Sequence, residues 1–153
     1  MKNDKTDNHE QIFWEEIDRL FPDMIKAIAS LSKKSYLSIT NLRTGITWWS
    51  ERAMDYFGMK ENYTIRSMEK ANRKIHPDDV ATFKRGFKER VDGKNLDTAW
   101  EYRIQDGDSY NRFNAMARVL YDEQKQPFII IIRYDNYGIS DEVDSVTGLY
   151  TEP

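Results

Sequence analysis

His9 and His76 are the only imidazoles in this 153-residue chain, and there is no cysteine to join them. The missing thiol removes cysteine nucleophiles, cysteine-ligated zinc or iron–sulfur centres, disulfides and cysteinyl-flavin adducts. A Ser–His–Asp triad or a histidine metal site would have to rest on His76, because His9 follows a polar, charged start of the kind that frays. His76 has a simpler use. It precedes Pro77, a residue suited to the first helical position, and Asp78 and Asp79 follow where carboxylates complement a helix dipole. Glu101 falls on the polar face of a strand pattern, placed for cross-strand ion pairs with Arg103 or Arg118. Each acid thus has a structural use, and the expectation is no catalytic residue and no metal site.

Aromatic side chains supply the other candidate chemistry. Phe, Tyr and Trp make up 13% of a chain that is polar on average, with four Trp and nine Tyr. Trp48, Trp49, Phe57, Phe83 and Phe87 are candidates for a space between sheet and helices, together with Trp100, Tyr102, Phe113 and Met116. Such rings either line a ligand cavity or fill a core, and composition alone leaves both open. Lys plus Arg (23) nearly balance Asp plus Glu (26), so no strong field points to nucleic acid. The longest apolar run, Phe128–Ile132, is far short of the ~20 residues of a membrane helix. The opening MKNDKTDNHEQ lacks the apolar stretch of a signal peptide. A single-domain cytoplasmic protein is the expectation.

These side chains need elements to hold them. After a flexible tail over residues 1–8, apolar positions at Phe13, Ile17, Leu20, Met24 and Ile28 keep helical spacing. Pro22 divides the stretch into two cap helices, about 9–20 and 22–33, within a cap segment 9–34. The stripe suits burial on a sheet, a subunit interface, or both. The period then drops to two. Residues 36–41 and 46–49 read as a hairpin, followed by a helix from the Ser50 cap to Gly58. A short helix is expected over 61–74 and a longer one from His76 to about Val91. Strands follow at 98–105, 110–121 and 128–135. The last has no alternation at Phe128–Ile132 and is expected at the centre of the sheet, covered on both faces. The fold class is α+β, a five-stranded antiparallel sheet with helices inserted after the first hairpin.

The stretch 35–136 resembles a PAS domain, a small sensory module of bacterial signalling proteins. Ser50-Glu-Arg-Ala-Met-Asp-Tyr-Phe-Gly58 is similar to the family's S-x-x-A-x-x-x-F-G helix, and Ile75-His-Pro-Asp-Asp79 to its I-H-P-D-D start. Glu101-Tyr-Arg103 with Asp106-Gly107 is similar to its E-Y-R…D-G strand and turn, and Tyr121-Asp-Glu123 with Pro127 fits its last hairpin. Two departures stand out. Tyr110-Asn-Arg-Phe113 lacks the Trp common near the start of that strand, and the closing D-I-T reads Asp135-Asn136-Tyr137. Within 137–153, a short linker leads to Asp144-Ser-Val-Thr-Gly-Leu-Tyr150, which resembles the opening D-x-L-T-G-L of a GGDEF domain, the diguanylate cyclase fold.

The resemblance implies a sensor that controls a C-terminal diguanylate cyclase, and hence cyclic di-GMP synthesis, through ligand binding or dimer rearrangement. It implies a homodimer, a downstream GGDEF domain in the same chain and a possible small-molecule ligand, with no nucleic acid or membrane partner. Signal transfer would fall to Asp135, Asp144, Thr147, Gly148 and Leu149. The cofactor stays unknown. Haem is disfavoured for want of an axial ligand, adduct-forming flavin by the absent cysteine, and no cofactor is the default. Two alternatives are an interaction-only PAS module with a filled core and a small cone-shaped α+β isomerase or dehydratase. A first strand lying beside both the second and the last strand would favour PAS over the cone fold.

Overall fold

The computed structural model describes residues 5–21, 23–65 and 72–140. Helix α1 (Lys5–Leu20) carries Phe13 and Ile17 one turn apart, both fully buried. It begins at Lys5, so part of the expected tail is helical. Helix α2 (Met24–Leu31) is entered through Asp23 in a left-handed conformation at φ 67°, which Asp tolerates better than most residues.

Strands β1 (Tyr36–Asn41) and β2 (Ile46–Trp49) form the expected hairpin. Its turn is held by the Asn41 carboxamide, whose Oδ1 accepts from the amides of Arg43 (2.9 Å) and Thr44 (3.3 Å). Helix α3 (Glu51–Phe57) has both expected ends. Ser50 Oγ accepts from the Ala53 amide at 3.3 Å, and Gly58 turns left-handed at φ 70°. A cap of this kind is worth about 1 kcal/mol.

The start of the segment 61–74 departs from expectation. A strand β3 (Tyr63–Ile65) pairs with β2, 72–74 are helical as expected, and 66–71 lie outside the described residues. A 3-10 turn at Pro77–Asp79 then leads into α4 (Val80–Val91). Strands β4 (Trp100–Asp106), β5 (Ser109–Tyr121) and β6 (Pro127–Ser140) complete the chain. Strand β6 runs five residues past the expected end, through a bulge at Asn136–Ile139, so the first residues assigned to a linker are strand.

The sheet therefore has six strands and not five, in the order β3-β2-β1-β6-β5-β4, with every neighbouring pair antiparallel. Strand β1 lies between β2 and β6, the arrangement that favours PAS over the cone fold. Strand β6 is central and serves two cores. Ile130, Ile132 and Tyr134 join an inner core with α3 and α4, while Ile129 and Phe128 join an outer core with α1 and α2.

Candidate functional site

The I-H-P-D-D segment is an edge clamp. Strand β4 ends the sheet, and an open edge invites pairing with foreign strands. Here the His76 amide donates to the Arg103 carbonyl at 2.9 Å, and Asp79 Oδ2 accepts from the Arg103 amide at 2.9 Å. The Asp79 carboxylate also receives the Arg103 side chain, from Nε at 2.8 Å and from a terminal nitrogen at 3.0 Å. These bonds hold the Asp79 carboxyl below its ordinary value. Arg103 is thus paired with Asp79, and Arg118 with Asp97 at 3.2 Å, where a pairing with Glu101 was expected. His76 caps the turn through Nδ1, which accepts from the Asp78 amide at 3.1 Å, and its ring lies 4.6 Å from that of Tyr110. Among the described residues no cluster of three or more His, Cys, Asp or Glu side chains could hold a metal.

On the inner face, Phe57, Phe83, Trp100, Tyr102 and Phe113 are buried together and Phe87 packs against them. Two of the expected residues lie elsewhere. Trp48 packs in the outer core under α1 and α2, since adjacent strand residues point to opposite faces and its neighbour Trp49 takes the inner one. Met116 lies beside Arg118, Ile131 and Arg133 on the outer face, because Phe113, Ala115 and Ala117 hold the inward parity of β5. Of the stripe assigned to cap or interface, Phe13 and Ile17 are spent on the sheet and Ile28 packs against the same cluster. Met24 is 45% exposed. The side chain of Leu20 lies outside the described set, as do Asp144, Thr147, Gly148 and Leu149. Asp135 accepts from Arg133 at 3.1 Å on the exposed side of β6.

The inner core has two ends of different character. At one end, rings interlock. Tyr56 and Tyr36 meet Phe113 at centroid distances of 5.3 and 5.7 Å, and Trp49 meets Phe57 at 5.2 Å. Its polar atoms are satisfied, with Asn111 donating to Tyr56 at 3.0 Å, Tyr134 bonded to Ser38 at 3.0 Å and Trp49 donating to Thr64 at 3.1 Å. Burial pushes the Tyr56 and Tyr134 hydroxyls up to about 12.

At the other end, between α4 and β4, donors outnumber acceptors. Arg90 is 2% exposed, with its guanidinium 4.0 Å over the Trp100 ring. Two of its nitrogens donate to the carbonyls of Gly86 and Thr98. Its Nε, the Trp100 indole nitrogen and the Tyr102 hydroxyl are all buried without a hydrogen-bond partner among the described residues. Burial lowers the Arg90 pKa and raises that of Tyr102 well above its usual value. Gly86 makes this packing possible, since a Cβ there would sit 2.8 Å from the Trp100 ring. The sequence carried a signal for Arg90 that the apolar stripe obscured. Phe83, Gly86, Phe87 and Arg90 fall at i, i+3, i+4 and i+7, one face of one helix.

Comparison with known proteins sets this architecture among relatives. The family model described as PAS fold matches residues 46–132. A sensory box histidine kinase/response regulator from Burkholderia thailandensis E264 superposes with a TM-score of 0.58 at 16% identity, covering 84% of this chain and 94% of that one. The N-terminal domain of a diguanylate cyclase with PAS/PAC sensor from Marinobacter aquaeolei gives 0.56 at 15%, covering 69% and 96%. A PAS domain of a protein from Colwellia psychrerythraea gives 0.55 at 18%, covering 76% and 98%. At these identities the structures share the fold alone. No curated protein matches.

Proposed function

The chain belongs to the PAS fold family, whose modules are sensory and not catalytic, and on that premise we propose that it senses a small molecule inside its sheet–helix core. The observation that supports this reading is the α4–β4 end of the inner core, where Arg90 Nε, the Trp100 indole nitrogen and the Tyr102 hydroxyl are buried with no hydrogen-bond partner among the described residues. Buried polar groups are nearly always paired, with protein, water or a bound molecule, and we read these three atoms on two neighbouring elements as facing a guest. Native mass spectrometry of the purified chain is the test. A retained small molecule is expected, and a mass equal to the polypeptide alone counts against it.

The output side of the proposal is a diguanylate cyclase domain in the same chain. It is supported by the GGDEF-like opening at Asp144–Leu149, and the similar Marinobacter aquaeolei domain comes from a diguanylate cyclase with a PAS/PAC sensor. Asp135, Asp144, Thr147, Gly148 and Leu149 are the proposed contacts for signal transfer. Sequencing the gene past codon 153 decides the matter: a Gly-Gly-Asp-Glu-Phe-type motif is expected, and a stop codon there removes the cyclase. We place the protein in the cytoplasm as a homodimer joined through the free side of the cap, where Ile12, Met24 and Leu31 are exposed. No helix among the described residues is long and apolar enough to cross a membrane. A second reading, an interaction module with a filled core, draws on the interlocked rings around Phe113 and is the outcome if no guest is found.

A further inference from the structure

We propose that the acidic run following β6, Asp141-Glu142-Val143-Asp144, docks in a basic cleft of the same chain, where Lys34 and Arg52 receive it. The proposal rests on the signal-transfer reading above and deepens it, since it says where Asp144 goes and which groups hold it. The cleft has a volume of about 290 Å³ and opens where β1 begins. Its walls are the turn from α2 into β1 at Lys34 and Ser35, Arg52 of α3, and β6 from Arg133 to Asn136. Three cations there face one carboxylate, and that carboxylate, Asp135, is taken by Arg133 at 3.1 Å. The Arg52 guanidinium lies 4.6 Å over the Tyr36 ring and donates to the Lys34 carbonyl at 3.2 Å, a group without net charge. Neither Lys34 nor Arg52 has a carboxylate partner among the described residues.

Topology sets the direction in which the chain can turn. At its end β6 is flanked on one side by β5, with Tyr110 opposite Ser140. On the other side β1 reaches only to Tyr36, opposite Tyr134, so the described residues leave that flank of β6 open from Asp135 onward. The cleft lies at the head of this open flank. Ser140 is four residues past Asn136, ~13 Å along a strand, and Asp144 is four residues past Ser140, a reach of ~14 Å. A chain that reverses at the end of β6 therefore brings Asp144 back to the level of the cleft, and the long side chains of Lys34 and Arg52 span the remaining gap. The acids Asp141, Glu142 and Asp144 match two cations that lack counter-charges. Exposed ion pairs are individually weak, but the tether holds the partners at an effective concentration of about millimolar or above. Docked there, the segment touches the cap through Lys34 and a helix of the inner core through Arg52, so a change in either reaches the start of the GGDEF-like sequence.

The chain has no cysteine, so Val143→Cys carries a nitroxide at a unique place. Paramagnetic relaxation enhancement of the backbone amides is then read by 1H–15N NMR on the full chain. The Ser35 and Arg52 amides should relax faster than that of Tyr110, which lies opposite Ser140 and reports an undocked tail. Reversing the tail with Asp141→Lys, Glu142→Lys and Asp144→Lys leaves the cleft residues unchanged. It should cut the Ser35 and Arg52 enhancement at least threefold, as should about 0.5 M sodium chloride. Adding Lys34→Glu and Arg52→Glu to the reversed tail should restore it; should that chain fail to fold, the tail reversal alone decides. An enhancement at Ser35 and Arg52 no greater than at Tyr110, or one indifferent to the tail's charge, overturns the proposal. So does an enhancement seen only when spin-labelled and 15N-labelled chains are mixed, which would put the segment on a second copy. The gene beyond codon 153 separates the two levels. A stop codon there removes the cyclase and leaves the docking, whereas a GGDEF motif without a charge-dependent enhancement leaves the cyclase and sinks the docking.

Discussion

Asp79 makes three hydrogen bonds to Arg103, one to its backbone and two to its side chain, and with the His76 amide it closes the β4 edge at that residue. Its pKa is depressed chiefly by the side-chain bonds to Arg103. A depressed acid stabilises the fold above its unfolded value, near 3.8, and that contribution is lost as pH falls through the lower folded value. Asp79→Asn should therefore lower unfolding stability at pH 7 by about 1–3 kcal/mol. It should also flatten the fall in stability below pH 4; urea titrations at pH 7, 5 and 3 would show both. An unchanged acid limb would mean another carboxylate dominates it. The clamp was legible as a capping motif from Ile75-His-Pro-Asp-Asp79, yet its target was not. Nothing in residue spacing distinguishes Glu101 from Asp79 as the partner of Arg103, because that choice is made by how α4 docks on β4. Parity was legible and was overridden by residue type. Trp48 beside Trp49, and Met116 three places after Phe113, cannot share a strand face with those neighbours.

At the scale of elements, α4 depends on one glycine for its approach to β4. In an exposed helix Gly→Ala gains about 1 kcal/mol of propensity. At Gly86 the new methyl would press on the buried Trp100 indole, an overpacking that costs about 1–3 kcal/mol. Gly86→Ala should thus be destabilising by denaturant titration, with a changed near-ultraviolet circular dichroism from Trp100, and Trp100→Phe should recover part of the loss. A stabilised Gly86→Ala would show that α4 can back away from the sheet. The hairpin, α3 and the central place of β6 were readable because each is encoded locally, by a turn, by caps and by an unbroken apolar run. Strand β3 was not, since three residues form a strand only by pairing with β2. The far end of β6 was hidden by Asn136 and Gly138, which break the strand pattern where the bulge lies.

For the whole molecule, the cap helices are part of the core and not an accessory. Phe13, Ile17 and Ile25 are fully buried against Ile39, Trp48, Phe128 and Ile129. Deleting residues 1–34 should expose that face and drive the remainder to self-associate or lose its cooperative melt, read by sedimentation velocity and calorimetry. A truncated protein that stays monomeric and folded would show that the outer face tolerates water. The free side of the cap makes a separate prediction. Leu31 is 88% exposed, so Leu31→Lys should weaken the homodimer proposed above without lowering the melting temperature of the monomer.

Strand β6 belongs to both hydrophobic layers and contributes backbone bonds to β1 on one side and β5 on the other. Neither layer can open without breaking a strand the other needs, which makes cap and sensor core one cooperative unfolding unit. Amide exchange in Ile129–Ile132 should accordingly be the slowest in the chain. Stabilising the inner core with a bound guest should slow exchange in α2, a helix that never touches the guest, by the same free energy.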